Sequence, residues 1–314
     1  MSRDAFSYDP HDAGETRGTS TRGPIRQQKS TSPDARDRRN PAPEERGRAD
    51  DTAVRKQHST RDERSDSPRA YYLRDRAYFL RDSEMNSLKE IGKFRVIPAP
   101  DLAKFAYGGN RERMEKDIRA LARQSLVRDR TLAISRKKTL RVVTLTQAGH
   151  RLLKNTNQVP NGQPIYHGLV KPREVKHDAD LYRLYQKEAA RIERGGGRPV
   201  RVRLDYELKR NLNRDLALLG PETDNPSRKR EVAEKHHLHV VNGKIPVPDL
   251  RVEYENPELE LRHVDLELAT RDYRARAMAA KAAAGFSFYA RSEDASRLRR
   301  VLDEREITAG ILTL

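Results

Sequence analysis

The sequence predicts a mixed chain of α+β and α/β character, with two folded parts behind a disordered tail. Three observations carry this expectation. Charged residues make up 35% of the 314, as much as the hydrophobic ones, and the mean hydropathy is −0.96. That is too polar for the whole length to pack into cores. Helix-like and strand-like periodicities alternate after about residue 70, at a length that suits about two domains. The net charge of +17 is also uneven: residues 71–157 carry 20 Lys and Arg against 9 Asp and Glu, whereas residues 1–70 carry 15 against 13.

Residues 1–70 are rich in Ser, Thr, Pro, Gly, Asp and Arg, with hardly a large apolar residue after Phe6. Such a segment buries too little surface to offset its ordering entropy, so it reads as a mixed-charge disordered tail. From Tyr71 the pattern changes. Ser83 is placed to cap a helix carrying Met85, Leu88 and Ile91, and Arg95, Val96 and Ile97 are extended. Pro98 and Pro100 precede a short helix over 101–107. Gly108 and Gly109 turn the chain, and Asn110 caps a longer helix to Gln124. Strands follow over 126–132 and 140–145, then a helix from Thr146. Helix, turn, helix and a two-stranded basic wing make 71–157 a winged helix-turn-helix by order and length.

Residues 158–173, with Pro160, Asn161, Gly162 and Pro164, read as a linker, and 174–314 as an α/β domain. Its elements run as a helix over 174–193 with Leu181, Leu184 and Tyr185 on its apolar side, and a break at Gly195, Gly196 and Gly197. A strand over 200–208 and a polar surface insertion over 210–235 come next. Strands over 237–241, 249–254 and 262–268 lead to a helix over 272–284. An extended 286–289, a helix over 293–304 and a strand over 307–312 close the domain.

Composition excludes several function classes. No apolar run approaches the roughly 20 residues needed to span a bilayer, and no signal peptide opens the chain. An integral membrane protein is therefore not expected. With no cysteine there is no disulfide scaffold, thiol nucleophile or Cys-ligated metal, which fits a cytoplasmic location. Concentrated positive charge on a small domain is the footprint of a phosphate backbone, so double-stranded DNA is the expected partner. No small-molecule cofactor is evident.

The DNA-reading candidate is the helix from Asn110. Met114, Ile118 and Leu121 form its buried stripe at i, i+4, i+7, which sets Arg113, Lys116, Arg119 and Arg123 on the outer arc and Arg111 at the exposed N-terminus. Arg136, Lys137 and Lys138 at the wing tip suit phosphate or minor-groove contact. The competing reading is a solvated helix face, because Glu112, Glu115 and Asp117 are interspersed.

In the second part, Asp265 and Glu267 lie two apart on a strand and project from one face. With Asp249 on a neighbouring strand, three carboxylates would converge as a hard oxygen site for Mg²⁺ or Mn²⁺. Such an ion activates water and neutralises charge on a phosphodiester, and Lys281 from the following helix would support the transition state. The competing reading is an amphipathic strand with a wet acidic face.

Pro248-Asp249 followed by Asp265-x-Glu267 resembles the PD-(D/E)xK nuclease signature, with Glu267 where the lysine normally stands. Residues 80–290 resemble the plasmid replication-relaxation family, which joins a winged helix to a nuclease-like domain. The resemblance rests on Leu145-Thr146-x-x-Gly149, on His177-Asp178-Ala179-Asp180-Leu181, on Pro248-Asp249, on Asp265-x-Glu267 followed by Thr270, and on Lys281 with Phe286 or Tyr289. The family's usual order of Glu then Asp is reversed here. The resemblance implies a DNA-binding protein of plasmid replication or relaxation, nicking or cleaving duplex DNA at a divalent metal. The alternative is a non-catalytic initiator or transcriptional regulator whose degenerate nuclease-like domain serves as a homodimer contact.

Other features weigh less. Of His236, His237 and His239, only His237 and His239 would share a strand face, and two ligands without a nearby third do not make a zinc site. Gly195-Gly196-Gly197-Arg198 follows a helix and lacks the Gly-Lys-Ser/Thr ending of a P-loop. His177 and Glu188 share the domain's first helix. Tyr71, Tyr72 and Tyr78 would be relaxase nucleophiles only beside a His-rich metal centre.

Overall fold

Alternation in Arg69–Leu73 (β1) and Arg76–Leu80 (β2) turns Tyr71, Leu73, Tyr78 and Leu80 inward, and the two strands pair as an antiparallel hairpin. This hairpin was not foreseen from sequence, where the pattern from Tyr71 was expected to open with a helix. The computed structural model describes residues 67–135, 138–220, 225–270, 273–304 and 310–314. The tail expected over 1–70 falls outside the described residues as far as residue 66, as do Arg136 and Lys137.

Helix α1 (Asp82–Gly92) starts one residue before Ser83. Arg81, not Ser83, is its N-cap, and the Arg81 N–H donates to the Glu84 carboxylate at 2.8 Å. Ser83 therefore lies within the first turn, where the acidic pair Asp82 and Glu84 complements the helix dipole. A short strand, β3 (Ile97–Pro98), leads into α2 (Ala99–Ala106) and α3 (Arg111–Arg123). As expected, Asn110 caps α3, its side chain accepting from the Arg113 N–H at 2.9 Å. Strands β4 (Val127–Ser135) and β5 (Lys138–Leu145) pair antiparallel, and β3 adds to the other edge of β5.

Helix α4 (Gln147–Asn155) is capped by Thr146, whose hydroxyl accepts from the Gly149 N–H at 3.1 Å and donates to Ser125 O at 2.6 Å. A Cβ on Gly149 would meet Leu126 O at 2.2 Å. The Leu-Thr-x-x-Gly segment thus closes α4 against the end of α3 with no room for a side chain. Residues 158–171 then cross the structure under restraint. The Tyr166 N–H donates to Gly92 O at 2.8 Å, and the Gln163 amide pairs with both backbone groups of Val202 at 2.9 and 2.8 Å.

The 23-residue helix α5 (Pro172–Arg194) packs on both halves. Phe94 and Phe105 meet Tyr182 edge-on, at 5.0 and 5.9 Å between ring centres. Leu181, Leu184 and Ile192 belong to the same core as Val202, Leu250, Val252, Leu266 and Leu268.

A five-stranded sheet of order β10-β9-β8-β7-β6 stands among the described residues. Its strands are β6 (Arg198–Leu204), β7 (Leu250–Glu255), β8 (Leu261–Ala269), β9 (Ser287–Ala290) and β10 (Ile311–Thr313). Strands β6, β7 and β8 are antiparallel, whereas β8, β9 and β10 run parallel. The parallel connections are made by α8 (Ala275–Ala283) and α9 (Ser292–Glu304), whose Met278, Leu298 and Leu302 pack with Ala269, Phe288 and Ala290.

Three expectations fail here. The strand expected to reach residue 208 ends at Leu204, and the polar stretch expected as an insertion forms α6 (Asp205–Ala217) and α7 (Pro226–Lys235). Leu208, Leu212 and Val232 are buried between polar neighbours, a helical stripe too sparse to stand out. The strand expected over 237–241 is a turn. His237 has φ of 52°, and beyond it only an isolated bridge joins Val241 to Lys244. The chain is accordingly of mixed α and β class.

Candidate functional site

Two groupings of the sequence-derived residues stand out, one on α3 and one at the ends of β7 and β8. On α3, Met114, Ile118 and Leu121 are fully buried, and Arg111, Arg113, Lys116, Arg119 and Arg123 are all exposed. Lys138 opens β5 beside the hairpin tip and is exposed as well. The acidic residues of α3 go elsewhere. Asp117 is buried, accepting from Arg81 at 2.8 Å and from the Tyr107 hydroxyl at 3.1 Å.

Glu115 is gripped by both terminal nitrogens of Arg141, one of them at 2.8 Å; the same guanidinium holds Asp129 at 2.6 Å. Hydrogen bonding to Arg141 keeps the Glu115 carboxyl below its ordinary range. Of the three acids that argued for a plain solvated face, two are thus neutralised at its inner margin, and Glu112 alone stays exposed.

At the second grouping, the register pairs Arg251 with Asp265 and Leu250 with Leu266, which brings Asp249 beside Glu267. The Asp249 N–H donates to Glu267 Oε2 at 3.3 Å, and Asp249 Oδ2 accepts from the Leu268 N–H at 3.0 Å. Lys281 from α8 and the Tyr273 hydroxyl, the latter at 2.5 Å, both donate to Glu267 Oε1. His177 of α5 brings its Nε2 to 3.7 Å from Asp249 Oδ2.

Burial, then the charge of Asp249, pushes the Glu267 carboxyl up to about 7 against the pull of Lys281 and Tyr273. Burial also opposes ionisation of Asp249, but His177 and Lys281 outweigh it and hold that carboxyl below its ordinary value. For His177 burial works against the charge, and the carboxylates of Asp178 and Asp249 overcome it, raising the ring to about 10.

Asp265 does not join this group. Its carboxylate takes two hydrogen bonds from Arg251, of 2.6 and 2.7 Å, and Arg251 also donates to the carbonyls of His236 and His237 at 2.6 and 2.9 Å. The expected trio is corrected to a pair: same-face alternation holds for Asp265 and Glu267, but Arg251, on that face of β7, claims Asp265. Among the described residues no group of three or more His, Asp or Glu side chains is arranged to hold a metal.

Two carboxylates still fit Mg²⁺ or Mn²⁺, since Mg²⁺ commonly keeps several waters and takes one or two protein carboxylates. The chemistry of the donor set is the fit test: Asp249 and Glu267 are two hard oxygen ligands brought side by side, with the Asp249 N–H 3.3 Å from Glu267 Oε2.

Sequence reasoning missed Arg251 and Tyr273. Arg251 was legible as the same-face neighbour of Asp249, while Tyr273 lies in a connection with no periodicity. The histidines near 236 serve the fold: His236 pairs with Asp215 at 3.1 Å and the His237 ring lies 5.5 Å from that of His263. Glu188 is buried under Tyr289 and Arg191. No family model matches the chain, and neither the curated proteins nor the solved structures give a match.

Proposed function

We propose that the chain is a duplex-DNA-docking protein. In this reading residues 71–157 are a winged helix, α3 enters the major groove, and the β4–β5 hairpin is the wing on the phosphates. The observation that carries it is the sorting of charge on α3: five cations face outward while Glu115 and Asp117 are held by Arg141 and Arg81. A merely solvated face has no need of that sorting. The test is duplex binding by anisotropy at several salt concentrations. Arg113→Ala and Arg119→Ala should each weaken binding and reduce the salt slope by about 1. Unchanged affinity and slope in both variants would refute the reading.

A second reading has its own support in the Asp249, Glu267, Lys281 and His177 grouping. The α5–β10 part would be a nuclease-like domain of replication-relaxation type, cutting or nicking the docked DNA. Asp249 and Glu267 would hold Mg²⁺ or Mn²⁺, which supplies charge neutralisation at a phosphodiester and an activated water. Lys281 is aimed at the same carboxylate and supplies a second positive charge for the developing phosphorane. His177 orients Asp249. The test is supercoiled plasmid with Mg²⁺, with Mn²⁺ and with EDTA, run beside Asp249→Asn and Glu267→Gln. Open-circular product that needs metal and both carboxylates supports cleavage. Retarded but uncut plasmid in every lane supports the non-catalytic initiator or regulator.

A further inference from the structure

The β1–β2 hairpin exposes two large rings. Tyr72 is 70% exposed and Phe79 58%, though the hairpin's other face is packed into the core. The register explains it. Tyr72 stands opposite Ala77, and Phe79 opposite Ala70, so these four share the outward face. Each ring faces a methyl group across the ladder, and an alanine is too small to cover it. The two rings are diagonal neighbours, a spacing of about 7–8 Å between Cα atoms.

Arg74 forms the turn beside this face with φ of 54°, whereas Arg69 and Arg76 alternate onto the opposite face, Arg69 meeting Asp82 at 3.4 Å and Arg76 lying 4.8 Å over the Tyr78 ring. The hairpin is also tied to α3. Gln124, the C-cap of α3, accepts from the Phe79 N–H at 3.2 Å and donates to Phe79 O at 3.1 Å, and Arg76 donates to the Gln124 carbonyl at 3.2 Å. The β2 edge that carries Phe79 therefore lies against the C-terminal end of α3, one residue past Arg123.

Bare aromatic rings beside the arginine of the turn and the cationic end of α3 match unpaired nucleobases on a phosphate backbone: every base has a π-face to stack, and Arg74 and Arg123 meet the backbone charge. We infer that Tyr72 and Phe79 form a stacking platform for single-stranded nucleic acid, next to the duplex face of α3. This rests on the duplex-docking reading for the position of the strand it receives. The chain would then favour a junction, where duplex meets melted strand, over uninterrupted duplex.

The test uses the full chain in EDTA with three probes: a duplex, a single strand carrying 2-aminopurine, and a forked DNA joining the two. Wild type should quench 2-aminopurine on binding and favour the fork over the duplex. Tyr72→Ala and Phe79→Ala should each weaken single-strand binding by about tenfold and leave duplex affinity within about twofold. Tyr72→Phe keeps the ring and should bind as wild type. Both rings are exposed, so circular dichroism should confirm that the alanine variants are folded.

Single-strand affinity that ignores both alanine substitutions overturns the platform, as does wild-type duplex binding with no quenching. Alanine variants that lose a dimer but keep single-strand binding overturn it in favour of a second copy of the chain on this face. Quenching that survives Arg113→Ala and Arg119→Ala while duplex binding is lost upholds the platform and its independence of α3. Quenching in a chain that never binds duplex leaves the platform standing and sinks the duplex reading instead.

Discussion

Arg251 and Asp265 stand opposite one another on β7 and β8, joined by hydrogen bonds of 2.6 and 2.7 Å, with side chains 5% and 9% exposed. Arg251 also fastens the turn after α7 through two carbonyls, so the pair anchors that connection to the sheet. Removing one partner of a buried pair leaves an uncompensated charge. Asp265→Asn should therefore cost about 3–5 kcal/mol in denaturant unfolding, and Arg251→Met with Asp265→Leu should recover most of it. Asp249→Asn should behave oppositely, changing metal affinity with little effect on stability. A stable Asp265→Asn protein that binds metal poorly would restore Asp265 to the proposed metal site.

Gly149 gives a backbone prediction. Its missing Cβ lies where Leu126 O would be 2.2 Å away, and its N–H is the group that Thr146 caps. Gly149→Ala forces the start of α4 away from Leu126 and should cost about 1–3 kcal/mol, the range for overpacking. Thr146→Ala keeps the space and loses the cap, for about 1 kcal/mol. Thermal unfolding of both variants ranks them, and the prediction fails if the alanine at 149 is the milder change.

The order of elements was legible where periodicity was strong. The stripe Met114, Ile118, Leu121, the cap Asn110, the helix beginning at Thr146 and the alternation around Leu266 all appear in the structure as read. What failed was decided by tertiary partners. Ser83 lost the cap to Arg81 because Glu84 answers the Arg81 N–H, and the chain turns at His237, where Arg251 holds the carbonyls of His236 and His237, instead of extending over 237–241. The site followed the same rule. Asp249, Glu267 and Lys281 come together because register and the α8 crossover are local consequences of pattern. Arg251 shares the face of Asp249, but that it meets Asp265 depends on the β7–β8 register, and alternation on one strand cannot give that.

His150 supplies a pH prediction. Its ring lies 4.6 Å from that of His167, and burial first, then His167 and Lys154, hold it below 6.5. The unfolded chain then binds this proton before the folded one does. The stability His150 contributes is present above pH 6.5 and is lost as pH falls through that value. Glu267 works the other way, since its folded value of about 7 lies above 4.5 and its contribution is lost as pH rises between them. The informative quantity is therefore the difference between wild type and His150→Gln. The variant should lose less stability than wild type between about pH 7 and pH 5. Parallel curves would contradict the assignment.

Arg141 links stability of the β4–β5 pair to the charge of α3. It holds Asp129, its diagonal neighbour across the ladder, and reaches Glu115 on the helix, so a single guanidinium neutralises two carboxylates. Replacing it with leucine leaves Glu115 ionised and free to sit among Lys116, Arg119 and Arg111. Each approaching phosphate then meets an extra negative charge. Screened by solvent, one such charge is worth about 0.5–1 kcal/mol, so Arg141→Leu should weaken duplex binding by about two- to fivefold without removing a phosphate contact. The salt slope should stay as in wild type, which separates this variant from Arg113→Ala. Glu115→Gln added to Arg141→Leu removes the offending charge and should return affinity to near wild type, whereas Glu115→Gln alone should change it little. Failure of the double variant to recover would mean that Arg141 touches the DNA itself.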